Sequence, residues 1–182
     1  NNGIGIAGVA PGCKLMSFRI FNTSGSSTTI GIARAFDTAR VIGIDVLSNS
    51  WNGFTETSTL TDAINNAALN GRGGLGCVIL FSSGNDGNRA PWYPSYLPNV
   101  ISVGASTNFD QKKSPGTGNQ FVWGGNYGEN QNGDLDLVAP TICYTTDIQG
   151  AFGYNNTPGT DGDYFASFSG TSVSCPITAG VA

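Results

Sequence analysis

The segment Phe168-Ser169-Gly170-Thr171-Ser172-Val173-Ser174-Cys175-Pro176 puts a serine hydroxyl where a tight glycine turn opens into an apolar, helix-like stretch. A serine in the first turn of a helix holds its hydroxyl in the positive end of the helix dipole, a setting suited to nucleophilic attack on an acyl carbon. The same residues also make an ordinary helix start, with Gly170 as the turn and Thr171 or Ser172 as N-cap. A second segment, Ser83-Gly84-Asn85-Asp86-Gly87, follows an apolar run and reads either as a plain turn or as a turn presenting an amide. The chain has no histidine. Any chemistry confined to these residues therefore lacks the commonest general base and the commonest metal ligand.

Other patterns carry less. Gly3 to Gly8 and Gly71 to Gly76 both fit G-x-G-x-x-G, but neither has the strand before it and helix within it that dinucleotide binding requires. The four cysteines, Cys13, Cys77, Cys143 and Cys175, have no C-x-x-C spacing, so a zinc site is not expected, and one, two or no disulfides remain open. With 11% charged residues and a net charge of −4, the chain has no basic face for a phosphate backbone, and nucleic acid is not an expected partner. No apolar run approaches the roughly 18 residues of a membrane span.

The elements that must position these residues follow from periodicity. A length of 182 residues fits one domain. Lys14–Phe21 reads as a strand, followed by a Ser/Gly turn and a helix in which Ile30, Ala33, Phe36 and Ala39 recur at helical spacing. Gly43 closes that helix, Asp45–Ser48 reads as a short buried strand, and Leu60, Ala63, Ile64 and Ala67 outline a second helix starting near Thr59 or Thr61. Cys77–Phe81, Val100–Ala105 and Leu135–Pro140 read as further strands, and 109–134 as a surface loop or hairpin. Strands alternating with helices and reading as continuous apolar runs predict an α/β fold, a doubly wound parallel sheet with helices on both faces. In such a sheet, ligand-facing residues lie just past the carboxyl ends of the strands, at Ser48–Asn52, Ser82–Gly87 and Gly170–Ser172.

Taken together, these segments resemble the subtilisin-like serine proteases, the subtilase family. Ser169-Gly170-Thr171-Ser172, followed by small residues and Pro176, resembles the family's nucleophile signature, and Ser83-Gly84-Asn85-Asp86-Gly87 its oxyanion-hole turn. Gly8-Val9-Ala10-Pro11, Tyr93–Ala105 and Leu135–Pro140 match in the same order, so the likeness covers essentially the whole chain. One departure is Ile177, where the family normally has a histidine that is not the triad base. The larger one is at the start: the family's triad runs Asp, His, Ser along the chain, and the first two would lie upstream of Asn1. The resemblance thus implies a catalytic domain truncated at its N-terminal side.

The resemblance implies Ser172 as nucleophile and Asn85 as a side-chain donor to the oxyanion, alongside the Ser172 backbone N–H. A polypeptide substrate would lie as an added strand along Ser50-Trp51-Asn52 and Ser82-Ser83-Gly84, with Trp51 either walling a pocket or packing in the core. Lys14, Lys112 and Lys113 are not where the family places groups near its serine, so a serine–lysine pair is not expected. Asn1–Ile6 resembles a calcium-binding loop whose remaining ligands would lie upstream, and Tyr93-Pro94 a site where a cis peptide is common. The expected activity is endopeptidase, secreted, with the missing N-terminal segment as a necessary partner. The alternatives are an inactive subtilase-fold module that binds peptides or proteins, and an unrelated α/β binding domain in which Ser172 only caps a helix. Without early strands, an unpaired sheet edge is expected.

Overall fold

The computed structural model describes residues 4–87, 90–117, 122–130 and 133–182. Helix α1 (Thr29–Ile42) starts where the Thr28 side chain accepts the Gly31 N–H, and it ends at Gly43, whose φ of 79° is cheap only for glycine. Ile32, Ala33, Phe36 and Ala39, three and four residues apart, form its buried stripe. After strand β1 (Val46–Asn49) comes α2 (Ser58–Asn70), which buries Leu60, Ala63, Ile64 and Ala67. Strands β2 (Val78–Ser82) and β3 (Ile101–Ser106) follow, then a short hairpin of β4 (Glu129–Asn130) and β5 (Gly133–Asp134), then β6 (Leu137–Pro140). Strands β7 (Cys143–Thr146) and β8 (Tyr164–Phe168) form an antiparallel pair that leads into α3 (Thr171–Ala179).

The main sheet has the order β1-β2-β3-β6 and every pair in it is parallel. Its two faces are covered by different helices. Ile79 and Phe81 of β2 pack with the buried stripes of α1 and α2, whereas Leu80 packs with Val103, Ala139 and Cys175 of α3. This alternation of period two inside one apolar run confirms the doubly wound α/β architecture. Leu80 and Phe81 are both 0% exposed, and burial of side chains of this size stabilises by about 1.5–3 kcal/mol each.

Several expectations are corrected. Lys14–Phe21 forms no strand: among the described residues nothing pairs with it, and Leu15 is 97% exposed. Alternation alone does not make a strand when no neighbour completes the hydrogen-bond ladder. Strand β1 is half-buried rather than buried, because it is the edge of the sheet. Helix α2 is capped by Thr57, whose extended backbone lets its side chain accept the Leu60 N–H; Thr59 and Thr61 lie inside the helix. The N-cap of α3 is Gly170, not Thr171 or Ser172. Two other features need no correction: the Tyr93–Pro94 bond is cis, as the resemblance suggested, and all four cysteines are free thiols, one of the alternatives left open. Among the described residues no helix is long and apolar enough to cross a membrane.

Candidate active site

Gly170 joins β8 to α3 with φ 124° and ψ 161°, a conformation essentially reserved for glycine. Thr141 holds it there: its buried hydroxyl accepts the Gly170 N–H at 3.1 Å and donates to the Gly170 carbonyl at 3.0 Å. The turn delivers Thr171, fully buried, and Ser172, half-buried, into the first turn of α3. Ser174 secures the helix to the sheet by donating to the Ala139 carbonyl at 2.9 Å.

Asn85 reaches this turn from the carboxyl end of β2. Its Oδ1 accepts the Thr171 N–H at 2.9 Å and the Thr171 hydroxyl at 2.9 Å. The Thr171 hydroxyl in turn accepts the Gly84 N–H at 3.3 Å. A primary amide whose oxygen is held by two donors presents its NH₂ on the other side. An ideal Cβ built on Gly170 would sit 3.4 Å from Asn85 Nδ2 and 3.5 Å from the Ser172 nitrogen. One side-chain and one main-chain nitrogen donor therefore lie beside Gly170 and the Ser172 side chain, and two such donors stabilise a developing oxyanion where both face it.

The Ser172 hydroxyl points at the Ser50 carbonyl across 3.4 Å, long for an O–H···O bond, while the Ser50 hydroxyl donates to the Ser172 carbonyl at 2.8 Å. Ser50 is thus brought directly to Ser172. Asn52 donates to the Ser82 carbonyl at 3.1 Å, tying together the two chain segments expected to flank a substrate. Trp51 is half-buried and packs edge-on against Phe81 at 4.8 Å and Phe54 at 5.5 Å. Ser82, Ser83 and Gly84 are buried. The Ser83 and Gly84 carbonyls accept the Trp92 and Asn126 N–H groups respectively, so these carbonyls are already bonded within the chain.

Two of the three lysines, Lys112 and Lys113, are engaged elsewhere. Lys113 is 0% exposed and donates to the Ser114 and Trp123 carbonyls at 3.0 and 2.8 Å, and burial pushes its pKa down. Lys112 lies over the Tyr127 ring. Cys175, one turn past Ser172, is buried, donates weakly to the Asn49 carbonyl at 3.6 Å, and has its thiol pKa pushed up by desolvation. Of the calcium-loop residues, Asn1, Asn2 and Gly3 lie outside the described residues and Ile4–Ile6 bring no side-chain oxygen. Among the described residues no three His, Cys, Asp or Glu side chains gather to hold a metal; toward a calcium ion Ile4–Ile6 can offer main-chain carbonyls alone.

The structure brings together Ser172, Asn85 and Ser50, which the sequence singled out; it adds Thr141 and Asn126, which the sequence did not, and Thr171, there a candidate N-cap, instead bonds to Asn85. Thr171 lies inside the recognised motif. Thr141 and Asn126 sit in a strand end and a loop with no signal of their own; only long-range hydrogen bonds reveal them.

Residues 1–182 match the family model described as the subtilase family. Thermitase of Thermoactinomyces vulgaris is 34% identical over all of this chain and 54% of its own length. A calcium-dependent protease of Nostoc sp. is 36% identical, with 100% of this chain and 30% of that protein aligned. Among solved structures, sphericase superposes with a TM-score of 0.70 at 26% identity, over 97% of this chain and 55% of that one. The chain spans about half the length of thermitase and of sphericase, and less of the Nostoc protease.

Proposed function

Since the chain belongs to the subtilase family, we propose that it is the nucleophile-bearing part of a serine endopeptidase catalytic domain. The observation that carries this is that Asn85 Nδ2 and the Ser172 nitrogen both lie beside Gly170, next to the Ser172 side chain. A scissile carbonyl oxygen there would accept both hydrogen bonds as its charge grows. Ser172 Oγ would attack the carbonyl carbon, its proton passing to a base. Collapse of the tetrahedral intermediate breaks the C–N bond, the base protonates the leaving amine, and water then hydrolyses the acyl-enzyme.

No histidine occurs in the 182 residues, so the base and the aspartate that orients it come from a segment outside them, upstream in the family's order. The exposed Ile4, Val9, Leu15 and Met16 and the edge strand β1 support docking of such a segment. The substrate is a polypeptide lying along Ser50, Trp51 and Asn52 and along Ser82, Ser83 and Gly84. A structural calcium ion in the loop starting at Asn1 is supported by the name of the Nostoc relative alone. Low charge and abundant glycine fit a secreted enzyme.

The test is labelling with a fluorophosphonate, followed by denaturing mass spectrometry. The full-length protein is expected to carry one adduct, on Ser172, that is absent in Ser172→Ala. The 182-residue chain alone is expected to remain unlabelled. Full-length protein that stays unlabelled would favour the second reading, a subtilase-fold module that binds polypeptides without cleaving them; the long Ser172–Ser50 contact in place of a base is what that reading rests on.

A further inference from the structure

Asn126 is 1% exposed and lies in the loop before β4, forty positions from the turn that carries Asn85. It is bonded to that turn from both sides. Ahead of Asn85, the Ser83 hydroxyl donates to the Asn126 carbonyl at 3.1 Å, Asn126 Nδ2 donates to the Ser83 carbonyl at 3.2 Å, and the Asn126 N–H donates to the Gly84 carbonyl at 2.9 Å. Beyond Asn85, the Asp86 N–H donates to Asn126 Oδ1 at 3.0 Å. The amide plane also presses against Gly84, where an ideal Cβ would fall within 2.4 Å of Nδ2. The support is itself anchored: the Gly125 N–H donates to the Lys113 carbonyl at 2.9 Å, and the Gly87 N–H to the Gly124 carbonyl at 2.7 Å.

From this geometry we infer that Asn126 is a positioning residue for catalysis, clamping the backbone on both flanks of Asn85 so that its amide stays aimed at the oxyanion space. The inference rests on the reading of Asn85 as the oxyanion donor. Asn126 does not touch the reacting atoms; it acts through Asn85. Only an asparagine side chain meets the requirement here. It must accept from Asp86 on one side of the turn and donate to Ser83 on the other, within a gap closed by Gly84. Aspartate keeps the acceptor but loses the donor, alanine loses both, and glutamine is one methylene too long for the gap.

A displacement of about 1 Å in a catalytic group can cost about a hundredfold in rate. The experiment is a double-mutant cycle in the full-length protein, with a chromogenic peptide substrate. Asn126→Ala is expected to lower kcat by about 10–100-fold with KM within about twofold of the parent. In an Asn85→Ala background the same substitution should lower kcat by less than about threefold, because nothing remains to be aimed. Asn126→Asp, of nearly the same volume, should behave like Asn126→Ala, and it carries the cycle if the alanine variant fails to fold. The inference is overturned if Asn126 substitution leaves kcat unchanged, or lowers it by the same factor whether or not Asn85 is present. Full wild-type activity in Asn85→Ala alone would instead refute the reading of Asn85 from which the inference proceeds.

Discussion

Asn85 Oδ1 and the Thr171 backbone nitrogen stand 2.9 Å apart, although 86 positions separate the two residues. That contact does two things at once. It satisfies one of the N–H groups left without an intrahelical partner at the start of α3, where Gly170 has no side chain to do so. It also consumes the amide's acceptor, so that the group facing the Ser172 side is a pure donor.

Asn85→Asp therefore tests polarity rather than size. The carboxylate can still accept both Thr171 bonds, but it turns an acceptor toward the oxyanion. Loss of one oxyanion donor in a subtilisin is measured at about 10²–10³ in kcat. Asn85→Ala should show a loss of that order in the full-length protein, and Asn85→Asp at least as much, with KM nearly unchanged in both.

Gly170→Ala combines two faults. Its φ of 124° is strained for any residue with a Cβ, costing about 1–3 kcal/mol, and the new methyl would stand beside both donors. The expected outcome is a lower urea midpoint together with at least about a tenfold fall in kcat, more than the stability loss alone produces in a protein still fully folded.

Alkaline stability should depend on Tyr96. Burial, and then the Glu56 carboxylate that accepts its hydroxyl hydrogen at 2.8 Å, push its pKa up to about 12. Tyr93 is shifted the same way, chiefly by burial, whereas the downward shift of Lys113 acts in the opposite sense as pH rises. Between about pH 10 and pH 12 the unfolded chain gives up its tyrosine protons while the folded chain keeps them, so stability falls as pH rises. Urea midpoints at about pH 9 and pH 11 should show that fall, and Tyr96→Phe should make it shallower. An unchanged slope in Tyr96→Phe would contradict the assignment.

The thiols should separate by exposure. Cys13 is exposed, Cys143 intermediate, and Cys77 and Cys175 buried, with the Cys77 thiol donating to the Ile44 carbonyl at 3.0 Å. Iodoacetamide should alkylate Cys13 first and Cys143 more slowly. Cys77 and Cys175 should react only in denaturant, as peptide mapping over time would show.

The helices and the inner strands were legible because each carries its own period. The 3.6-residue stripe of Ala33, Phe36 and Ala39 and the apolar run of β2 are local signals that the core then rewards, whereas Ile30, read into the same stripe, is 59% exposed and Ile32 takes the core position. Lys14–Phe21 looked equally strand-like and formed nothing, since a strand exists only with a neighbour, and a neighbour is not written in the strand's own residues. The same distinction divides the site. Ser172 and Asn85 sit in short segments whose composition marks them. Asn126 and Thr141 act through bonds spanning 43 and 29 positions, and their surroundings in the sequence look like any polar loop or strand end. The N-cap of α3 was misplaced for a related reason: the capping oxygen comes from a different element, so neither Thr171 nor Ser172 had to supply it.

Helix α3 packs on β1, β2, β3 and β6, which makes an element that follows all four strands in sequence the cover for one face of the sheet. During synthesis, β1 through β6 would emerge with that face bare, and the rewarding contacts arrive only once residues beyond 170 have been made. Contacts so distant in sequence are slow to form. Until then Ser172 is apart from the Asn85 turn and from Ser50, so on the proposed reading the site exists only after the sheet beneath it has formed.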